Sequence, residues 1–300
     1  MHFGIMDMQL DLLVAAAVPV PGNQMSAAGF GHAVLVERLF DQGFDLIELG
    51  GDLSLFFPDS LSPQAIEQLA MFKEARGVSY TVHLPLWSVE PSTLLNEVRE
   101  GSVAALVKTI KATLPLNPEM YVLHATGALA AEFYQMRIPD AAKSLLLRQF
   151  QHNAGNSIKS ILGATGIDSR LLAIETIEFP FELTLELANL LDLSMCLDTG
   201  HVLVGFSGPV SLDEVLELCL PRLGEIHLHD GPWQGPERKI GYGKDHQPLG
   251  SGDLDIPRFL DRLTQASYKG PIIFELSIQD ALKSMDAIWA VRPQYLTAYR

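Results

Sequence analysis

Short apolar runs alternate from end to end of this chain with stretches whose apolar residues recur every three to four positions. The runs fall at 3–6, 46–49, 79–84, 120–124, 171–175, 194–198, 225–229 and 271–275. They are largely continuous in apolar character, as expected of strands buried on both faces. Helical spacing appears between them, over 32–42, 63–76, 93–113, 140–162, 182–191, 212–219 and 256–264, and an eighth helix can follow Gln279. Eight strand-then-helix units in 300 residues predict an α/β fold, a (β/α)8 TIM barrel forming one domain over 1–300. A doubly wound open sheet is the alternative, but no glycine-rich phosphate loop follows the first strand.

The runs end on metal-ligand residue types. His83 follows Tyr80-Thr-Val, His124 follows Tyr121-Val-Leu, Glu175 follows Leu172-Ala-Ile, Asp198 follows Met195-Cys-Leu, and Glu275 follows Ile272-Ile-Phe. His227 and His229 close the run Glu225-Ile-His-Leu-His-Asp230, and His201 lies three residues beyond Asp198. In a parallel barrel all these ends share one face, where the site of such barrels is found. A lone histidine there is commonly a hydrogen-bonded structural residue. A set of imidazoles and carboxylates converging on one mouth is electrostatically awkward unless a cation joins it. Period-two geometry puts His227 and His229 on one face, with His227 the expected ligand. His229 suits equally a role as hydrogen-bond donor to substrate or to another ligand.

Charge narrows the partners. The chain carries 36 acids against 21 Lys plus Arg, a net −15, which opposes an extended nucleic acid. Only Cys196 and Cys219 are present, too few for a disulfide framework, so a reducing cytoplasm is expected. The apolar stretch 12–20 is short, contains Pro19 and follows Asp7 and Asp11 where a signal would carry basic residues. No targeting segment and no membrane partner are expected. The loop 7–31, rich in Ala, Val, Pro, Gly and Met, belongs to the active-site face and is expected to form an apolar wall or lid. Arg238, Lys239 and Lys244 make one small cationic loop beside His246, enough for a single phosphate, or simply a solvated loop. Nothing in the sequence fixes an oligomeric state.

With these segments in this order, the chain resembles the xylose-isomerase-like and endonuclease-IV-like TIM barrels. The resemblance implies a metal site of Glu175, Asp198, His201, His227 and Glu275. Sugar isomerases and epimerases of that family look like one-metal enzymes, whereas the endonuclease-IV-like branch adds histidines that here are His83, His124 and His246. One metal would then take His83, His124 and Glu175, a second Glu175, Asp198, His227 and Glu275, and a third His201 with His246. The branch expects an acid two residues before the loop histidine. That position is Lys244, with Asp245 next to it. Imidazole and carboxylate donors suit zinc, manganese or iron, two or three ions in all.

Five segments are similar in wording to the cobamide-remodelling phosphodiesterases: Tyr80-Thr-Val-His-Leu-Pro85, Tyr121-Val-Leu-His124, Glu175 through Glu182, Cys196-Leu-Asp-Thr-Gly-His201, and Ile226-His-Leu-His229 leading to Gly243-Lys-Asp-His246. That resemblance implies hydrolysis of a phosphoester in the nucleotide loop of a B12-type corrinoid. Clustered metals suit such chemistry, with Glu175 bridging and Glu178 carrying a proton, unless Glu178 is merely a solvated loop acid. His229 would handle substrate. Trp87 and Trp233 would stack on a flat heterocycle, or pack loops on the rim, and Lys244 and Asp245 would contact substrate. The rivals are a one-metal sugar or sugar-phosphate isomerase or epimerase, an endonuclease-IV-like AP endonuclease, and a barrel that binds metal or corrinoid without catalysis.

Overall fold

The computed structural model describes residues 1–9, 12, 30–234 and 240–296. Eight parallel strands, β1 (His2–Met6), β2 (Leu46–Gly50), β3 (Ser79–His83), β4 (Tyr121–Leu123), β5 (Leu172–Glu175), β6 (Ser194–Asp198), β7 (Leu223–His227) and β8 (Pro271–Phe274), pair in sequence order. β8 returns to β1 through Phe3↔Ile272 and Ile5↔Phe274, which closes the barrel. This is the (β/α)8 fold that the alternation of runs predicts. Among the described residues no helix is long and apolar enough to cross a membrane.

The surrounding helices are α1 (His32–Asp41), α2 (Leu53–Phe56), α3 (Pro63–Arg76), α4 (Asn96–Thr113), α5 (Ala128–Gln135), α6 (Asp140–Thr165), α7 (Phe181–Leu191), α8 (Thr199–Leu203), α9 (Leu212–Cys219), α10 (Ile256–Gln265) and α11 (Ile278–Val291). Their ends follow local chemistry. Ser62 accepts the Ala65 N–H ahead of α3, whose last turn closes on left-handed Gly77. Ser211 and Glu214 form a reciprocal capping box on α9, and Asp255 and Ser277 cap α10 and α11.

Side chains alternate between a helix-facing layer and the barrel interior. Tyr80 on β3 reaches outward, its hydroxyl donating to Leu69 O on α3 at 3.0 Å, and Tyr121 on β4 points to α4, donating to Ile110 O at 3.3 Å. Their outward direction turns Thr81, His83 and Val122 inward. Inside, Met120, Val122, Ala173 and Cys196 form a small apolar cluster separate from the main core. Both cysteines are buried and free, in line with their reading as no part of a disulfide framework.

Two details depart from the sequence reading. β7 runs over Leu223–His227, two residues earlier than the expected 225–229. Leu228 still donates to Ile273 O, but Asp230 has already turned away to pair with Gln247, so His229 lies beyond the strand. The short helices α2, α5 and α8 sit inside βα connections where no periodicity announced them. Of the expected wall at 7–31, positions 10–11 and 13–29 lie outside the described residues.

Candidate metal centre

Period-two direction sends Thr81 and His83, Ala173 and Glu175, Cys196 and Asp198, and Glu225 and His227 inward as pairs. The second member of each pair reaches the barrel mouth. Fully buried Glu175 is central: its Oε2 lies 3.1 Å from His83 Nε2 and 2.9 Å from His124 Nε2. Its Oε1 lies 3.2 Å from His201 Nδ1 and 3.6 Å from His227 Nδ1. Asp198 Oδ2 faces His201 Nδ1 at 3.3 Å and His227 Nδ1 at 3.9 Å, while Oδ1 accepts the His201 N–H at the start of α8. Glu275 spans to the outer side, Oε1 lying 3.5 Å from His227 Nδ1 and Oε2 3.5 Å from His246 Nε2.

Potential ligand atoms of His83, His124 and Glu175 thus lie within 4.8 Å of one another, as do those of Glu175, Asp198, His227 and Glu275. Glu175 Oε1, His201 Nδ1 and His227 Nδ1 are buried without a hydrogen-bond partner. Each such atom costs on the order of 1–3 kcal/mol left alone, a cost that divalent cations held in this cluster would relieve. His83 is already oriented for this, because Nδ1–H donates to Leu84 O at 2.9 Å and leaves the Nε2 lone pair facing inward. The donor set of imidazoles and carboxylates fits zinc, manganese or iron.

The charges are tightly interdependent. Burial lowers the pKa of His83, but the hydrogen bond and charge of Glu175, with Glu48 and Glu275, carry it up to about 9. His201 is likewise opposed by burial and raised by Asp198 and Glu175 to about 8. Against its own burial, Glu175 is held well below the usual carboxylate range by His124 and His227. The cluster thus compensates its carboxylates with imidazole protons. A cation binding here would displace those protons, so its uptake strengthens as pH rises.

A family model describing xylose isomerase-like TIM barrels matches residues 36–291, from within α1 to the end of α11. The chain belongs to the xylose isomerase-like TIM barrel family. It is 23% identical over 266 residues to the uncharacterised protein MJ1311 of Methanocaldococcus jannaschii, covering 84% of this chain and 82% of that one. Its fold is similar to that of a D-tagatose 3-epimerase-like protein, with 20% identity, 98% of each chain covered and a TM-score of 0.69. It is also similar to the IolI protein with a bound zinc atom, with 14% identity, 99% of this chain and 100% of that chain covered, and a TM-score of 0.66.

In this xylose isomerase-like barrel, three predicted residues take more specific places than the sequence allowed. His229 stacks on His246 with ring centres 4.3 Å apart. Its Nδ1 accepts the His246 backbone N–H at 2.9 Å, so the ring hydrogen is on Nε2, which donates to Asp198 Oδ2 at 2.9 Å. Although its nitrogens approach those of His201 and His246, both are committed, and His229 orients Asp198 and the loop. Asp245, next to the Lys244 position where an acid was expected, has Oδ2 2.9 Å from His246 Nδ1 and 3.7 Å from His201 Nε2. His246 and His201 overcome the effect of burial and hold that carboxyl down at about 2. Lys244 is exposed, with no side-chain contact to these groups among the described residues.

Asp230, the acid of the strand-seven motif, is the anchor of this loop. Its Oδ1 accepts the N–H groups of Gly231 and Leu254, and Oδ2 those of Gly250 and Gly252, all at 2.9–3.0 Å. Glu178 accepts a hydrogen bond from Tyr242, and burial pushes its carboxyl up to about 7 although His201 opposes the shift. Trp87, 55% exposed, lines a cavity of about 560 Å³ with Met6, Met8, Leu276 and Ile278 that opens onto His246 and Glu275. Trp233 is half exposed, its backbone N–H bound to Asp253, and has no contact with the ligand set among the described residues. Arg238 and Lys239 lie outside the described residues. Two buried acids inside the barrel, Glu48 and Glu225, were not foreseen. Their signal was an acid at the inward position of an otherwise apolar strand.

Proposed function

We propose that this barrel is a metal-dependent phosphodiesterase acting on a small or medium substrate, with the nucleotide loop of a cobamide as the candidate that its sequence segments resemble. The observation that supports it is the seating of His83 and His124 together on Glu175 Oε2, at 3.1 and 2.9 Å. A single ion between Glu175, Asp198, His227 and Glu275 needs neither histidine, whereas a bridging Glu175 uses both. Divalent ions held by these residues would activate water and stabilise charge on the attacking and leaving oxygens. Glu175 divides its two oxygens between the His83–His124 side and the His201–His227 side. His229 fixes Asp198, and Glu178, protonated below about pH 7, would give a proton to a leaving group on the Tyr242 side. The cavity beside Trp87 takes the apolar part of the substrate.

A second reading, a sugar epimerase or isomerase, is favoured by the names of the solved structures, of which the D-tagatose 3-epimerase-like protein is one. In it, Glu175 and Glu275 face each other across His227 Nδ1 at 3.6 and 3.5 Å and exchange a proton with a sugar carbon. Two measurements on one metal-loaded preparation separate these readings. Two or more ions per chain, with release of cobinamide phosphate or its dephosphorylated relative from a cobamide, supports the hydrolase. One ion per chain with ketose epimerisation and no phosphoester cleavage overturns it.

A further inference from the structure

Beneath the ligand set, deeper in the barrel, lies a layer of acid that neither reaction consumes. Glu48 on β2 and Glu225 on β7 are fully buried. None of their four carboxyl oxygens has a hydrogen-bond partner, and neither has the hydroxyl of Thr81. Potential ligand atoms of Glu48, Glu225 and His227 lie within 4.8 Å of one another. The nearest approach is from Glu48 Oε2 to His227 Nε2 at 3.3 Å, with Glu225 Oε1 at 3.9 Å from the same nitrogen. The other nitrogen of that ring faces the opposite way, toward Glu275, Glu175 and Asp198 at 3.5, 3.6 and 3.9 Å.

A neutral imidazole has one N–H and one lone pair, and a carboxylate beside one nitrogen decides which is which. Burying two acids side by side with one imidazole between them and the ligand set is unfavourable for folding, so a purely structural role accounts poorly for them. The register makes the arrangement direct: Asp198 pairs with His227 across β6 and β7, and Cys196 with Glu225 one layer below.

We propose that Glu48, backed by Glu225, is a positioning residue that accepts the Nε2 hydrogen of His227 and thereby presents Nδ1 of that ring to a cation held with Glu175, Asp198 and Glu275. The inference rests on this set being a metal site and holds for either reaction. It extends the ligand arrangement inward by one layer, to residues that touch neither substrate nor metal.

The test uses the full chain and the Glu48→Gln and Glu225→Gln variants, which keep side-chain size. Nitrogen-15 spectra of the Zn(II)-loaded wild-type protein should show His227 with hydrogen on Nε2. Glu48→Gln should mix the tautomers and weaken Mn(II) or Zn(II) in the Glu175–Asp198–His227–Glu275 set by roughly 10–100-fold in chelator competition. Glu225→Gln should do less. Unfolding midpoints should equal or exceed that of the wild type. An unchanged tautomer with unchanged affinity overturns the proposal, and so does a lowered midpoint with every metal lost together, which marks a structural role. Loss of one whole metal equivalent with the tautomer intact would mean that the acids themselves hold a cation, and would overturn it too. Failure of the phosphodiesterase assay alone would leave these readouts untouched.

Discussion

Changing Asp230 to Asn isolates the anchor of the loop that carries Asp245 and His246. The substitution is nearly isosteric and leaves no cavity, but it replaces one carboxylate oxygen by an NH2 group that faces two backbone donors. Each oxygen accepts two N–H groups, so two donors lose their partner whichever way the amide turns. An unsatisfied buried donor costs about 1–3 kcal/mol, giving about 2–6 kcal/mol for the pair. That exceeds what a surface loop can retain without opening, so the loss should appear locally, with the barrel folded. Hydrogen exchange followed by mass spectrometry should show the amides of Gly250, Gly252 and Leu254 exchanging about 30-fold faster or more, the equivalent of about 2 kcal/mol, while β5 and β6 stay protected. Metal analysis should show loss from the His201–Asp245–His246 side with the His83–His124–Glu175 side retained. Undiminished protection at Gly250 and Gly252, or metal loss spread equally over all ligands, would refute the reasoning.

Further outcomes follow from the same geometry. Glu175→Gln should abolish turnover and lower the affinity of two ions together, read by activity and metal titration, because both oxygens serve separate histidine pairs. In Gly200→Ala a Cβ would stand 2.0 Å from His229 Nδ1, so the ring must leave Asp198. Overpacking of this kind costs about 1–3 kcal/mol, visible in denaturant titration alongside lost activity. Glu178 is raised by burial to about 7 and, in the proposed role, would deliver a proton only below that pH. Wild-type turnover should therefore fall as pH rises through about 7, and Glu178→Gln should be slower with that limb gone. The linked sign for stability is that an acid with a raised folded pKa costs stability as pH rises above its ordinary value, so Glu178→Gln should gain relative stability over that interval.

The barrel was legible because its strands are continuous apolar runs and its helices carry their own stop signals, Gly77 after α3 and the Ser211–Glu214 box before α9 among them. The convergence of the candidate ligands was legible for a simpler reason: a parallel barrel collects strand ends, and the ends were occupied by histidine and carboxylate. What escaped lies where sequence position and spatial role part. Glu48 and Glu225 sit in mid-strand, and only closure of the barrel brings β2 and β7 to the same interior. Asp230 looked like one more strand-end acid, yet its four donors come from residues as far as Leu254, a distance no local pattern reports. The end of β7 was misplaced because Leu228 keeps a ladder bond after the strand has ended.

The ligands also differ sharply in their access to water. Glu175, Asp198 and His227 are wholly enclosed, whereas the side chain of His246 is 46% exposed on its loop. An ion held among the first three would be shielded from water, while one beside His246 would face it. Divalent ions bound on the two sides would therefore differ in how fast a chelator strips them, the inner one more slowly than the one beside His246.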